Sequence, residues 1–533
     1  MYITRVVVRN YRCLRFADVK LNHDLNVIVG NNESGKSTLL EAIHLALCGQ
    51  LNGRPIQTEL HPHLFNADVV KEYIAGLVQK KHVAPPEILI ELYLESADPK
   101  ALAGLTGTIN TEKQDCPGVS LSIKLHEDHR EDFANYVSDP LLIKTLPIEY
   151  YVAKWRCFGE NEIITSRKIP LKISFIDASS IRNNLAANRY VLDIMKDSLN
   201  SSQRIDLALA YRMMKDAFLD KPKVKDVNDE LARRKGHITD KSLSVSLDTT
   251  SRTSWETGIM PHLDDLPLTL VGKGEQSSVK IKLAIQSSAD SHLILIEEAE
   301  NHLSFSNLNS LISHIADRRG DRQLLITTHS SFVLNKLGVE SVLLFHLGSS
   351  MTLHNLTKET KEYFMRLPGH DTLRLILAKH SILVEGPSDE LIVQAAYKKK
   401  HNKLPLEDRI DVISVRSLAF KRFLEIAVLL KKTVTIITDN DGRLQALKNK
   451  YSEYENVNGV GIFYDTDEAC TTLEPQLLKA NNKASIEKIL DRTFTDEVEL
   501  LEFMKDNKAD TALKFFETVH PWNVPGYIND AIA

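Results

Sequence analysis

Apolar positions in this chain come in short runs rich in valine, isoleucine and leucine, separated by stretches whose apolar residues fit helical spacing. Ile3–Val8 and Leu25–Val29 read as strands, and Thr38–Leu47 as a helix. After Pro85-Pro86, Ile88–Leu94 reads as another strand, and residues 101–175 are mixed, with short strand candidates. From about 183 to 235 the texture is helical and charge-rich, with Arg189-Tyr190-Val191-Leu192 early in it and Leu207–Ala210 later. Alternation at Leu243-Ser244-Val245-Ser246-Leu247 predicts a strand, and Val279–Ile285 a helical run. Strand cores follow at Leu293–Ile296, Leu324–Ile326 and Val342–Phe345, then a polar connector near 348–378. A second strand–helix series begins at Ser381–Val384 and continues at Arg409–Val415 and Thr433–Ile437. Strands alternating with helices predict an α/β fold class built on parallel sheets, in at least two domains.

Composition narrows this little. The chain has 533 residues, 43% hydrophobic and 26% charged, which excludes a mostly disordered or collagen-like protein. The net charge of −5 excludes a uniformly basic nucleic-acid binder but leaves room for a local basic surface. Cys13, Cys48, Cys116, Cys157 and Cys470 are scattered and show no zinc spacing, as expected for reduced thiols in a cytoplasmic protein. Arg5 interrupts the first apolar run, so the N-terminus reads as a strand rather than a signal peptide. No long uninterrupted apolar stretch predicts a membrane span.

The first chemistry-bearing motif is Gly30-Asn31-Asn32-Glu33-Ser34-Gly35-Lys36-Ser37-Thr38, which fits G-x-x-x-x-G-K-[ST] after a predicted strand and at the start of a predicted helix. Gly30 and Gly35 let backbone N–H groups wrap a phosphate at the helix N-terminus. Lys36 would neutralise β/γ-phosphate charge and Ser37 would ligate Mg²⁺, so ATP is the expected ligand. Leu293–Ile296 ends in Glu297-Glu298: the first acid would support Mg²⁺ through water, and the second would polarise the attacking water. Gly272-Lys273-Gly274-Glu275 precedes a helical run, and His329 follows the Leu324–Ile326 strand.

In this order the motifs resemble the ABC-type ATPase heads of the SMC and RecF group. That resemblance implies that Gly274 and Glu275 belong to a signature motif completing a partner head's ATP site. It implies that His329 is the switch histidine reaching the γ-phosphate, and that Asn301-His302-Leu303 is the D-loop. Asn10-Tyr11-Arg12 after the first strand fits the same group. Glu297 stands where most such heads carry Asp, and the segment between the phosphate loop and the signature is too short for a long coiled coil.

A second acidic constellation lies further on. One strand ends in Glu385-Gly386-Pro387-Ser388-Asp389, and another in Asp439-Asn440-Asp441. Parallel strands present their C-terminal ends at one edge, so Glu385, Asp389, Asp439 and Asp441 are expected to converge. Clustered carboxylates repel one another and suit Mg²⁺ or Mn²⁺. The pair of motifs resembles a Toprim domain. An ABC-type head followed by a Toprim domain resembles the OLD family of ATP-dependent endonucleases. That resemblance implies an ATPase domain over 1–350 with a helical insertion at about 180–240, then a Rossmann-like Toprim nuclease domain over 378–533. Within it Asp389 is a further metal ligand, Glu474 helps hold a second metal, and Lys508 aids cleavage, with Lys505 and Lys514 close by. Ser417-Leu418 stand where many Toprim domains carry a glycine.

Residues 391–433 hold ten basic and four acidic side chains, a local balance of 10 − 4 = +6. Lys398, Lys399, Lys400, Arg416, Lys421 and Arg422 form either a groove for a phosphate backbone or solvated helix faces. The resemblance implies a DNA endonuclease gated by ATP, oligomeric (a dimer or higher) through its heads, acting in anti-phage defence beside a helicase or other partner protein. A non-nucleolytic DNA-binding ATPase of recombination or repair type is the alternative.

Overall fold

The computed structural model describes residues 1–51, 53–139, 143–159, 162–163, 169–177, 199–233, 241–248, 255, 259–287, 291–301, 303–318, 320–353, 355–367, 369–415 and 419–533. Residues 3–169 together with 325–533 form one compact unit, and residues 170–324 a second. Arg189–Leu192, His302, Arg416 and Ser417-Leu418 lie outside the described residues.

The first part of the larger unit opens with β1 (Tyr2–Tyr11) and β2 (Leu14–Lys20), paired antiparallel, followed by β3 (Leu25–Val29) and α1 (Lys36–Cys48). β4 (Ile88–Glu95), β5 (Cys116–Leu125) and β6 (Tyr151–Cys157) extend the antiparallel sheet in the order β6–β5–β4–β1–β2. Leu39, Leu40, Ile43 and Leu47 of α1 are buried, and Trp155 Nε1 donates to Ala46 O at 3.0 Å, fixing the helix to the sheet.

In the 170–324 unit, β7 (Ile173–Asp177) pairs in parallel with a later strand of the same unit. The helices α2 (Ser201–Leu219) and α3 (Pro222–Arg233) follow it. α2 starts at a capping box in which Asn200 and Gln203 satisfy each other's backbone N–H. Residues 243–247 are not a strand, contrary to their alternation. The backbone N–H and C=O of Val245 are bonded by the side chain of Asn228, at 2.7 and 3.1 Å, in place of a ladder partner. α4 (Lys273–Ser287), β8 (Leu293–Glu297) and α5 (Phe305–Arg318) complete the unit, with β8 in register with β7 so that Glu297 stands opposite Asp177.

Back in the larger unit, β9 (Gln323–Thr327), α6 (Ser331–Leu337), β10 (Val342–His346) and β11 (Ser349–Thr352) build a sheet with the order β9–β3–β10–β11. β3 and β10 are parallel and β11 is antiparallel. The polar connector contains two helices that are not read from the sequence, α7 (Lys358–Arg366) and α8 (Thr372–Leu377). α8 buries Leu373, Leu375 and Ile376 among the otherwise polar residues that hide the pattern.

The C-terminal series comprises β12 (His380–Val384), α9 (Pro387–His401), β13 (Ile410–Ser414), α10 (Phe420–Leu429), β14 (Thr433–Ile437), α11 (Leu444–Tyr451) and β15 (Val460–Phe463). These strands form a parallel sheet in the order β13–β12–β14–β15. The chain steps one way from β12 to β13 and the other way to β14, so a switch point lies between β12 and β14. Ligands of open α/β sheets bind at such a place. α12 (Leu473–Ala480), α13 (Lys483–Leu490), α14 (Glu497–Asp506), α15 (Lys508–Glu517) and α16 (Gly526–Ala531) follow. Ile392, Val393, Leu477, Phe515 and Trp522 close one core against the sheet.

Much of the basic stretch is occupied in this packing. Lys398 and Lys399 lie over the rings of Phe516 and Trp522, and Lys400 Nζ donates to Asn529 O at 2.8 Å. Lys421 pairs with Glu453, and Arg422 donates to Thr360 Oγ1. These side chains make contacts between helices, and Lys398, Lys399 and Lys400 also remain exposed.

Candidate functional site

The switch point carries the acids. Glu385 follows β12 directly, and its Oε1 accepts from Thr438 Oγ1 at 2.6 Å and from the Asp439 N–H at 3.0 Å, tying the ends of β12 and β14 together. Asp389 lies in the first turn of α9 and accepts the Gly386 N–H at 2.9 Å. Glu474, buried at the start of α12, accepts from Thr472 Oγ1 at 2.7 Å and meets Lys508 Nζ at 3.2 Å. Lys508 begins α15, which sets this lysine, rather than Lys505 or Lys514, against Glu474.

The electrostatics show how closely the acids crowd. Burial, then Glu385 and Glu474, raise the Asp389 carboxyl to about 6, against the lowering pull of the Gly386 N–H and Lys508. Burial, then Asp389, Glu385, Glu474 and Asp441, raise Asp439 to about 8. The hydroxyl of Tyr527 is raised by burial and by Asp439, Asp389, Asp465 and Glu385. Hard oxygen donors short of positive charge are the chemistry that a divalent cation satisfies, and Glu385, Asp389, Asp439, Asp441 and Glu474 could hold one. Among the described residues no three acidic, histidine or cysteine side chains stand ready-made around one ion.

Sequence reasoning missed the scaffold beneath the acids. Asn440, buried between Asp439 and Asp441, donates to the carbonyls of Asp465 (2.9 Å), Asp467 (2.8 Å) and Cys470 (3.3 Å), and its Oδ1 accepts the Gly442 N–H at 2.8 Å. Asp441 adopts φ +49°, and its N–H donates to Thr471 O. Gln476 donates to Cys470 O at 3.1 Å and accepts from Tyr527 Oη, so α16 also supports this loop. A strand-end Asp-x-Asp signals the acids; nothing local to it signals partners that come from later loops.

The phosphate loop leaves β3 and enters α1 as expected. Gly35 sits at φ +93°, and a Cβ there would lie 2.8 Å from Leu14 Cδ2; a Cβ at Gly30 would lie 2.3 Å from Phe345 O. Gly30 is therefore required by space and Gly35 by backbone conformation. Lys36 is buried, and its Nζ donates to Gly30 O at 2.8 Å and Asn31 O at 3.1 Å, folding back across the loop. Asn31, Asn32 and Ser37 are exposed, while Thr38 Oγ1 lies 3.3 Å from Cys13 Sγ. His329 follows β9 and shares a cavity with Gly30 and Asn31.

In the 170–324 unit, Glu297 ends β8 and Glu298 follows at φ +47°, bonded by the Asn301 side chain. Gly274 and Glu275 lie in the first turn of α4, which Gln276 anchors through a bond to Val271 O at 2.7 Å.

Comparison with known proteins gives three family matches along the chain. Residues 376–441 match the family described as "Overcoming lysogenization defect protein-like, TOPRIM domain". Residues 5–233 match the AAA domain family, and residues 176–335 a second AAA domain family. The chain is an α/β protein joining an AAA-type ATPase region to a Toprim domain. The matched part of that Toprim domain is similar to the OLD-like Toprim family. The DNA replication and repair protein RecF of Lactobacillus acidophilus is 23% identical over 377 residues, 62% of this chain and 92% of the relative. RecF of Acetivibrio thermocellus is 35% identical over 60 residues, 11% of this chain and 16% of the relative. Among solved structures, the SMC head domain from Thermotoga maritima is 13% identical, with TM-score 0.31, covering 66% of this chain and 98% of that one. The C-terminal region of the Burkholderia pseudomallei OLD protein is 18% identical, with TM-score 0.24, covering 29% and 96%. Scores of that size add no weight of their own. Among the described residues no helix is long and apolar enough to cross a membrane.

Proposed function

We propose that this protein is an ATP-regulated, Mg²⁺- or Mn²⁺-dependent DNA endonuclease. The observation that carries the reading is the crowding of Glu385, Asp389, Asp439 and Glu474 at the sheet's switch point, with Lys508 against Glu474. Metal ions bound there would activate a water and stabilise the leaving oxygen of a phosphodiester. The Glu385 carboxylate is fixed by the Thr438 hydroxyl and the Asp439 N–H, which also positions the Asp439 backbone, and Asp389, Asp439, Asp441 and Glu474 complete the donor set. Lys508 adds positive charge beside the scissile phosphate.

At the ATPase, Gly30, Asn31, Asn32, Gly35, Lys36, Ser37 and Thr38 would cradle the phosphates and Ser37 would ligate Mg²⁺; by its motif, Glu297 would support Mg²⁺ through water. Glu298 polarises water, His329 reads the γ-phosphate, and Gly274 and Glu275 complete the site of a second copy. The ATPase domain runs over 1–350 and the nuclease domain over 378–533. The biological setting is defence against phage, in the cytoplasm, beside a helicase or other partner.

Incubation of supercoiled plasmid with Mg²⁺ or Mn²⁺ tests the reading: nicked or linear product is expected, and Glu385→Ala or Asp439→Ala abolishes it. Unimpaired nicking by either variant refutes the metal site. The RecF match, which spans most of that relative, favours a second reading: a non-nucleolytic DNA-binding ATPase of repair type. DNA binding without any cleavage would select it.

A further inference from the structure

The end of the C-terminal sheet opposite the acids carries the opposite charge. Lys379, Arg409 and Lys432 each stand one residue before a strand: β12, β13 and β14 respectively. The ladder aligns His380 with both Ile410 and Thr433, so the three cations share one register row, in the order Arg409–Lys379–Lys432. Neighbouring strands lie about 4.8 Å apart, so the row is a compact strip of positive charge.

That strip lines a cavity of about 810 Å³ whose other wall includes Gly30 and Asn31 of the phosphate loop and His329. The acid beside it, Asp411, is already engaged by Arg374, whose Nε and Nη2 reach its two oxygens at 3.0 and 2.5 Å. Lys432 Nζ donates to Ala378 O at 2.9 Å, which holds its ammonium in place without neutralising it. Among the described residues neither Lys379 nor Arg409 forms an ion pair. Burial also lowers the Lys432 ammonium from its usual range. Leu373, Leu377 and Leu406 give the cavity an apolar side. Three like charges at this spacing repel unless an anion lies among them.

We propose that this cavity is an anion site in which Lys379, Arg409 and Lys432 bind phosphate groups beside the nucleotide loop. The inference goes beyond the nuclease reading and does not depend on it. The same chemistry has two sources: the γ-phosphate end of ATP on the loop, or a separate phosphate-bearing molecule. Calorimetry on the full chain separates them. In the first arm, ATP and ADP are titrated into the wild type and Lys379→Gln/Arg409→Gln. A loss of at least fivefold for ATP, with ADP within twofold, identifies the γ-phosphate. In the second arm, tripolyphosphate is titrated into Lys36→Ala, without and with the same two substitutions. Binding that survives Lys36→Ala and falls at least tenfold on adding them identifies a separate ligand. Thermal melting checks the fold, and the charge-keeping pair Lys379→Arg/Arg409→Lys serves where the glutamine pair melts early, with binding expected within threefold of wild type. ATP affinity within twofold of wild type in the first arm, with no effect of the substitutions in the second, overturns the proposal.

Discussion

Asn440 separates two carboxylates and holds both in place. Its amide spans three carbonyls of the 465–470 loop, and its oxygen takes the N–H of Gly442. Asn440→Ala removes the donor to the half-buried carbonyls of Asp465 and Asp467, at about 1–3 kcal/mol for an unsatisfied group. A drop of about 2–3 kcal/mol in urea unfolding is expected on that basis, together with weaker Mn²⁺ binding in an electron-spin-resonance titration. An unchanged midpoint would show the amide to be dispensable. Gly35→Ala meets a different obstacle, since its φ of +93° is strained for a residue with a Cβ and the Leu14 side chain would have to shift. Strain of order 1–3 kcal/mol is expected, with ATP affinity reduced at least tenfold by equilibrium dialysis. These residues differ in legibility. Gly35 is visible because the phosphate motif is local, with each member fixed relative to the next. The roles of Asn440 and Tyr527 depend on carbonyls and carboxylates brought together only by the fold.

Among elements, the short helix α8 does more than its polar surroundings suggest. Arg374 joins it to β13 through Asp411, and the Asn335 amide joins α6 to it, donating to His370 O at 3.0 Å and accepting from Thr372 Oγ1 at 2.7 Å. Asn335 is fully buried, so Asn335→Ala is expected to cost about 2–3 kcal/mol by loss of both partners. Arg374→Met, at a half-exposed pair, is expected to cost about 1 kcal/mol. Chemical denaturation of the two variants checks the ranking, and an equal cost for both would contradict it. Most of the parallel strands were legible because short buried runs of Val, Ile and Leu leave a local trace, whereas β15, with Gly461 inside it, was not read. Residues 243–247 misled because alternation alone cannot reveal that Asn228 supplies the hydrogen bonds a neighbouring strand would have made. Helices α7 and α8 were missed for the converse reason, being too short for their apolar positions to form a clear period.

For the whole molecule, the two kinds of chemistry are separable by mutation. Glu385→Ala is expected to lose plasmid cleavage while hydrolysing ATP at the wild-type rate. Lys36→Ala is expected to lose ATP hydrolysis and, with it, any response of cleavage to added ATP. Equal cleavage by wild type and Lys36→Ala, with and without ATP, would remove the regulatory link. The net charge of −5 hides a polarity within the C-terminal sheet, acidic at one end and basic at the other, that no sum over the chain can reveal.

The pairing of β3 with β10 sets a timetable for the chain's birth. Val27 lies beside Val342, so the strand that feeds the phosphate loop waits 342 − 27 = 315 residues for its neighbour. At a synthesis rate of about 5–20 residues per second, that wait is roughly 15–60 s. Throughout it the apolar Leu25–Val29 strand has an unfilled edge, exposed to chaperones and to other nascent chains. A ribosome stalled before residue 342 therefore holds a complete phosphate motif whose feeding strand still lacks β10 as a neighbour.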